Sequence, residues 1–121
     1  MALRSYKELI VWQRAMDLVV ELYGISKKLP RQEQFGLVSQ LCRAGISVPA
    51  NIAEGYGRKH RNEYLRFLGI AKGSLQEART HLEICRRLGY VSQEQAGCSE
   101  QLAEEVSKML TGLIQSLTPD P

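Results

Sequence analysis

The stretch Ser47-Val48-Pro49-Ala50-Asn51-Ile52-Ala53-Glu54-Gly55-Tyr56-Gly57-Arg58 decides the fold of this chain. It places a proline inside a helical pattern and follows it with two glycines, which permit the positive φ at which helices end. The ring of Pro49 presses on the carbonyl of Gly45 and removes one hydrogen bond, which costs about 3 kcal/mol in an ordinary helix interior. We therefore expect a kink near residues 45–49.

An apolar seam passes through this stretch and predicts a helix, because its members recur at steps of three and four residues. They are Val38, Leu41, Gly45, Val48, Ile52 and Gly55. Comparable seams predict three more helices, so that the four cover about residues 5–28, 31–56, 61–88 and 92–117. On helix 1 the predicted apolar face consists of Leu9, Trp12, Met16, Val19, Val20 and Tyr23.

The connections between these helices are short, which is typical of helices that pack against their chain neighbours. The predicted fold is therefore all-α, an antiparallel up-down four-helix bundle with helix 2 kinked at Pro49, and residues 1–121 form a single domain. Gly89 is placed to end helix 3, and Ser92 with Gln95 has the spacing of a capping box for helix 4. His60 is a poor cap for helix 3.

The composition indicates an ordinary globular protein, with 44% hydrophobic and 24% charged residues among 121. No uncharged apolar run reaches membrane-spanning length, so we expect no membrane partner and a cytoplasmic location. Cys42, Cys85 and Cys98 are odd in number and lack CxxC spacing, which favours free thiols in a reducing compartment.

The sequence offers little for catalysis. His60 and His81 are the only histidines, which excludes an HExxH zinc motif. Glu77 and His81 are four residues apart, whereas di-iron bundles use Glu-x-x-His pairs on two helices. No phosphate-binding glycine loop is present. We therefore predict no enzymatic activity, no catalytic residue, no metal, no cofactor and no small-molecule substrate.

A polar stripe lies beside the seam of helix 2 and is the first candidate site. It consists of Gln40, Arg43, Ser47, Asn51, Glu54 and Arg58. Three interpretations stay open: a solvated face, a hydrogen-bonded network that clamps the kink to neighbouring helices, or a contact with another subunit or a nucleic acid. The structural polar network of the second interpretation comprises Gln40, Ser47, Pro49, Asn51, Glu54 and Gly55.

A basic segment is the second candidate site. Residues 1–88 hold 15 of the 16 basic and 8 of the 13 acidic residues, a net charge of +7, whereas residues 89–121 carry −4. Basic side chains on one flank are typical of proteins that follow a phosphate backbone. The candidate nucleic-acid contacts are Arg43, Arg58, Lys59, Arg61, Arg66, Lys72 and Arg79. Tyr56 and Tyr64 offer stacking surfaces. The alternative is a solvated loop and helix flank, since Glu63, Glu77 and Glu83 dilute the charge.

Several segments in order along the chain resemble one known family. They are Trp12-Gln13-Arg14-Ala15-Met16, Gln40-Leu41-Cys42-Arg43-Ala44, the stretch from Ser47 to Gly55, Arg66-Phe67-Leu68 and Ala71-Lys72-Gly73-Ser74-Leu75-Gln76-Glu77. Together they resemble the bacterial four-helix-bundle proteins encoded in intervening sequences of 23S ribosomal RNA genes. His60 departs from the small hydroxyl residue usual at its position, which weakens the cap of helix 3.

The resemblance implies a homo-oligomer, in the form of a pentameric ring of bundles, and a role related to nucleic acid. The family is similar to the accessory bundle protein of diversity-generating retroelements, which partners a reverse transcriptase and binds nucleic acid. It implies no enzymatic activity.

Two functions follow as hypotheses. The first is a non-catalytic homo-oligomer that binds RNA or DNA through its basic surface. The second is a protein-interaction scaffold without nucleic-acid affinity, suggested by apolar residues beyond one seam per helix, which are Trp12, Phe35, Phe67 and Ile70. In the scaffold, the acidic helix 4 of one copy faces the basic helix 3 of the next.

Overall fold

The computed structural model describes residues 4–119, which form four α-helices and two short 3-10 turns and contain no strand. The helices are α1 Ile10–Ser26, α2 Leu37–Tyr56, α3 Arg61–Arg87 and α4 Gln93–Leu117. The predicted all-α fold is therefore confirmed. Residues 1–3 and 120–121 of the predicted domain lie outside the described residues.

The helices are arranged in chain order around one core. α1 packs against α2 and α4, α3 packs against the same two helices, and the most extensive contact joins α2 to α3. Ser47 of α2 meets Ser74 of α3, and Gly55 of α2 meets Phe67. Since positions rise along α2 as they fall along α3, this pair is antiparallel.

The first turns of helices 1 and 2 differ from the sequence expectation. α1 begins at Ile10 rather than near Ser5, because the Ser5 side chain caps a separate 3-10 turn, Tyr6–Glu8, and Leu9 is extended at φ −70° and ψ 124°. α2 begins at Leu37 rather than near residue 31. Gly36, at φ −113° and ψ −103°, interrupts the helical backbone before it.

The apolar face that α1 buries is not the one that the sequence suggested. Its buried residues are Val11, Ala15, Leu18, Leu22 and Ile25. On the predicted face, by contrast, Met16 is 40%, Tyr23 43% and Val20 69% exposed. The predicted face is thus buried only in part, where Leu9 and Trp12 pack against the core. α1 carries two apolar stripes side by side, and periodicity alone does not say which of two stripes faces the core.

Helix α2 passes through Pro49 without a break and buries that residue. The kink near residues 45–49 stays a prediction. Gly45 lets α1 approach α2 closely, because a Cβ atom there would lie only 2.8 Å from Cδ1 of Leu22. Where α1 and α2 meet, the core is therefore closely packed, with Leu22 directly against Gly45.

The ends of α3 and α4 follow the sequence signals. Gly89 has φ +79°, and the N–H of Tyr90 donates to the carbonyl of Cys85 at 3.0 Å, a Schellman pattern. Ser92 and Gln95 form the predicted capping box. The predicted weakness of His60 as a cap agrees with the structure, which gives it no capping hydrogen bond from its side chain.

Tyr90 also joins the two connections at this end of the bundle. Its hydroxyl donates to Oε2 of Glu33 at 2.8 Å. This hydrogen bond, followed by burial, raises the pKa of Tyr90 above its ordinary value of 10.0. The connection between α1 and α2 is thereby tied to the turn between α3 and α4.

The three cysteines are free and differ in burial. Cys98 is exposed, Cys42 is partly buried and Cys85 is buried. Burial raises the pKa of the Cys85 thiol to about 11. None of the helices built from residues 4–119 has both the length and the apolar character needed to cross a bilayer.

Candidate nucleic-acid interface

The turn between α2 and α3 presents a run of basic side chains at one end of the bundle. Arg58, Lys59, His60 and Arg61 are all exposed. In an up-down bundle this end also carries the start of α1, and the Tyr6–Glu8 turn, which includes the exposed Lys7, packs against α2. We call this surface, residues 58–61 with Arg66, the basic end.

Two arginines of the basic end share one aromatic ring. The guanidinium carbon of Arg58 lies 4.8 Å from the centroid of the Phe67 ring, and that of Arg66 lies 4.5 Å from the same centroid. Arg58 also donates to Oε1 of Glu54 at 2.8 Å, one helical turn earlier. Cation–π contacts of this kind hold a guanidinium in a preferred orientation.

Gly55 determines where this ring lies. A Cβ atom at residue 55 would come within 2.8 Å of the Phe67 Cβ and 3.2 Å of the Tyr64 carbonyl oxygen. The absence of a side chain therefore allows α2 and α3 to approach until Arg58 reaches Phe67.

Tyr56 and Tyr64 lie against each other beside this contact. Their ring centroids are 6.1 Å apart at 90°, an edge-to-face arrangement. Tyr64 is partly buried, and its pKa is raised above 10.0 by burial and, to a lesser extent, by Tyr56. The two tyrosines thus contribute to packing between α2 and α3.

The middle of the polar stripe faces α3. The Oγ atoms of Ser47 and Ser74 are 2.7 Å apart, and the Asn51 side-chain amide donates to the Ser47 carbonyl at 2.8 Å and to the Ser47 Oγ at 2.9 Å. These three side chains form a partly buried hydrogen-bonded chain between the two helices. Only the ends of the stripe, Gln40, Arg43, Glu54 and Arg58, are exposed.

The predicted basic contacts do not all gather in one place. Arg43 is exposed on α2 but lies 15 residues before Arg58, about 22 Å along the helix axis. Arg79 donates to Oε2 of Glu104 at 3.0 Å, so it lies on the flank of α3 that faces α4. Lys72, two turns before Arg79, shares that flank. The structure therefore brings together Arg58, Lys59, Arg61 and Arg66.

A groove of about 650 Å³ between α3 and α4 is lined mostly by polar and charged residues. Its charged side chains largely pair with one another. Glu83 accepts two hydrogen bonds from Arg86, at 2.7 and 2.9 Å, and one from Arg87 at 2.9 Å. These bonds lower the pKa of Glu83 to about 2. Because its arginines are already bound to carboxylates, this groove is a poorer anion site than the basic end.

Among residues 4–119, no three His, Cys, Asp or Glu side chains are grouped in a way that could hold a metal ion. Sequence reasoning did not connect Phe67 with the arginines. The sequence did contain one indication. Phe67 follows Arg66 directly and lies outside the apolar seam of its helix.

Residues 7–112 match the model of the family described as 23S rRNA-intervening sequence protein. The chain belongs to this family. The resemblance inferred from the segments between Trp12 and Glu77 is thereby confirmed.

A solved relative of the 23S rRNA-intervening sequence family has the same fold. It is the crystal structure of a protein with unknown function from the S23 ribosomal protein family of Bacteroides thetaiotaomicron VPI-5482. It is 27% identical, superposes with a TM-score of 0.81, and the match covers 87% of this chain and 98% of that chain. A comparison with curated proteins finds no match.

Proposed function

We propose that this member of the 23S rRNA-intervening sequence family is a non-catalytic, cytoplasmic homo-oligomer that binds RNA through its basic end. The observation that carries the proposal is the group of four exposed cations, Arg58, Lys59, Arg61 and Arg66, at one end of the bundle. The family description names an intervening sequence of 23S rRNA, which makes RNA the first nucleic acid to test.

The basic end has the charge that phosphate recognition needs. Residues 54–66 hold four basic and two acidic residues, and one of the acids, Glu54, is bound to Arg58. Four phosphate contacts to a single strand give a slope of about −3 in a plot of log affinity against log salt concentration. Repetition of the site in an oligomer raises the affinity further through avidity.

A pair of charge-reversal variants tests the proposal. Lys59→Glu with Arg61→Glu removes the exposed cations of the turn, and we expect RNA affinity to fall by roughly tenfold or more. Lys27→Glu with Lys28→Glu changes the net charge equally at the opposite end of the bundle, where both lysines are exposed. We expect this control to bind RNA within about threefold of the wild type, because its changes lie away from the proposed site.

Binding would be measured by fluorescence anisotropy with a short single-stranded RNA at low and moderate salt. Equal losses in the two variants would show that only the net charge matters. An affinity that does not change with salt would contradict the proposal.

A second surface supports self-association. On the outer side of α1 and α2, the apolar residues Met16, Tyr23 and Ile46 are at least 40% exposed, and Ala50 of α2 is also exposed. We call this surface the outer α1–α2 face.

The outer α1–α2 face suits a second copy of the chain. Met16, Tyr23, Ile46 and Ala50 carry no charge, whereas Arg14 of α1 binds Asp17 of the same helix and Glu105 of α4. Depletion of charge is typical of the centre of a protein interface.

The alternative function is a protein scaffold without nucleic-acid affinity. Phe35, 92% exposed in the connection between α1 and α2, is the observation that favours it, because such a side chain is a typical interface anchor. The version in which helix 4 binds helix 3 of the next copy has less support, since Arg79 and Glu104 pair within one chain. Light scattering separates the two functions: an oligomer whose mass does not increase with RNA at low salt is a scaffold.

A further inference from the structure

The contact between Phe67 and the two arginines affects the position of their guanidinium groups as well as the local charge. The two guanidinium carbons lie 4.8 and 4.5 Å from one ring centroid, so they are at most about 9.3 Å apart. Arg58 has a carboxylate partner in Glu54. Arg66, by contrast, has no acidic side chain within ion-pair distance among residues 4–119.

Two like charges that contact the same ring repel each other, and a bound anion relieves this repulsion. Guanidinium groups match the geometry of phosphate oxygens and donate two parallel hydrogen bonds to them. Orientation by an aromatic ring reduces the side-chain entropy that binding has to remove. The arrangement therefore has the properties of a prepared anion site.

The aromatic rings at the basic end are already engaged. Phe67 lies under two guanidinium groups, and Tyr56 and Tyr64 pack against each other. Stacking of an RNA base would have to displace one of these contacts. A phosphate contact leaves all of them in place.

We propose that Arg58 and Arg66, oriented by Phe67, form a site for a phosphate group, and that Phe67 is its positioning residue. This inference rests on the proposed RNA binding for its biological ligand, a backbone phosphodiester. Glu54 is a competitor for Arg58, because its Oε1 accepts from Nη2 of Arg58 at 2.8 Å, a donor that a phosphate would use. The site reads the backbone and not the base.

Phe67→Leu tests the positioning role because it keeps every charge and a large apolar side chain. In the wild type, we expect the ¹H–¹⁵N NMR signals of the Arg58 and Arg66 side chains to shift when inorganic phosphate is added at constant ionic strength. In Phe67→Leu, we expect these shifts to be lost and RNA affinity to fall by about three- to tenfold.

Glu54→Gln provides an independent test, which does not depend on how Phe67→Leu folds. Removal of the competing charge should increase the affinity for phosphate and RNA by about threefold. An unchanged or lower affinity would overturn the inference, as would a Phe67→Leu variant that keeps the phosphate shifts.

The outcomes separate this inference from the proposed function. If Phe67→Leu binds RNA like the wild type while Lys59→Glu with Arg61→Glu does not, RNA binding stands and the positioning role fails. If the wild type binds no RNA, the proposed function fails, and the phosphate shifts alone decide whether the site exists. Shifts that RNA induces but inorganic phosphate does not would contradict a phosphate site and indicate recognition of another part of the RNA.

Discussion

Gly55 is the residue at which packing and the proposed site meet. It is buried, and a methyl group there would lie 2.8 Å from Cβ of Phe67 and 3.2 Å from the backbone oxygen of Tyr64. Neither neighbour is the far end of a flexible side chain. Any side chain at this position must therefore push α2 and α3 apart.

We expect Gly55→Ala to lower the free energy of unfolding by about 1–3 kcal/mol, as overpacked sites do. Gly69→Ala is the matched control, because Gly69 is exposed on α3 and a Cβ atom there meets nothing within 4 Å. The control should gain about 0.5–1 kcal/mol from helix propensity. Urea denaturation measures both, and a stability of Gly55→Ala equal to that of the control would contradict the close approach.

Glu83 gives a prediction about acid stability. Its hydrogen bonds to Arg86, and then Arg87, lower its pKa from 4.5 to about 2. A carboxylate whose pKa is lower in the folded state stabilises the fold above its unfolded pKa. This contribution is lost as the pH falls from about 4.5 towards 2.

We therefore expect the melting temperature of the wild type to fall over this acidic range more steeply than that of Glu83→Gln. Thermal unfolding followed by circular dichroism at a series of pH values makes the comparison. Because the pair is exposed, the difference will be small and will shrink with added salt. Parallel curves for the two proteins would contradict the prediction.

The contact between α2 and α3 combines apolar packing with a chain of hydrogen-bonded side chains. Ser47, Asn51 and Ser74 are linked by hydrogen bonds of 2.7–2.9 Å in a partly buried position. A polar link within an apolar contact favours one register, since a shift along the helix would leave its groups unpaired. The register in turn brings Arg58 to Phe67.

A double-mutant cycle on Ser47→Ala and Ser74→Ala measures this link. We expect a coupling energy of about 1 kcal/mol in the free energy of unfolding, because each single variant already breaks the shared hydrogen bond. A cycle of Ser47→Ala with Ser107→Ala on α4 serves as the control. Its coupling should be near zero, and equal couplings in the two cycles would contradict a direct bond between the serines.

The elements also show what could be predicted from the sequence. The existence of four helices and the caps at Gly89 and Ser92 followed from periodicity and local backbone chemistry, which nearby residues encode. The start of α2 could not be predicted in this way, because the break at Gly36 depends on a backbone conformation that glycine permits but does not require.

The buried face of α1 and the basic end were harder to predict, for a different reason. Val20 and Leu18 are both apolar, and only the placement of α2 and α4 buries one and exposes the other. In the same way, Arg66 and Arg79 are equivalent in sequence, yet tertiary contact pairs one with Phe67 and the other with Glu104. Residue pairs from different helices are not visible in the pattern of one helix.

A substitution on the outer α1–α2 face tests whether the molecule associates with itself. Ile46 is 44% exposed, so a charged residue there is tolerated in a monomer but would be buried unpaired between copies. We expect Ile46→Glu to reduce the mass measured by multi-angle light scattering at micromolar concentration. The variant should keep its helix content.

Ile84→Glu is the control for this prediction, since Ile84 is a similarly apolar, exposed residue on α3. We expect it to keep the mass of the wild type. Dissociation by Ile84→Glu and not by Ile46→Glu would place the interface on a different side of the bundle. A wild type that is monomeric would exclude self-association at this concentration.

The three thiols differ in burial, so the rates at which they are chemically modified report how often the native protein opens. A thiol reagent added in excess reaches exposed Cys98 at once and Cys42 more slowly, and both can be counted by mass spectrometry. Cys85 is buried in α3 with a pKa raised to about 11, so it reacts only during the moments when that helix separates from its neighbours. The rate of the third modification therefore reports the frequency of this separation in the native protein, without a label or a mutation.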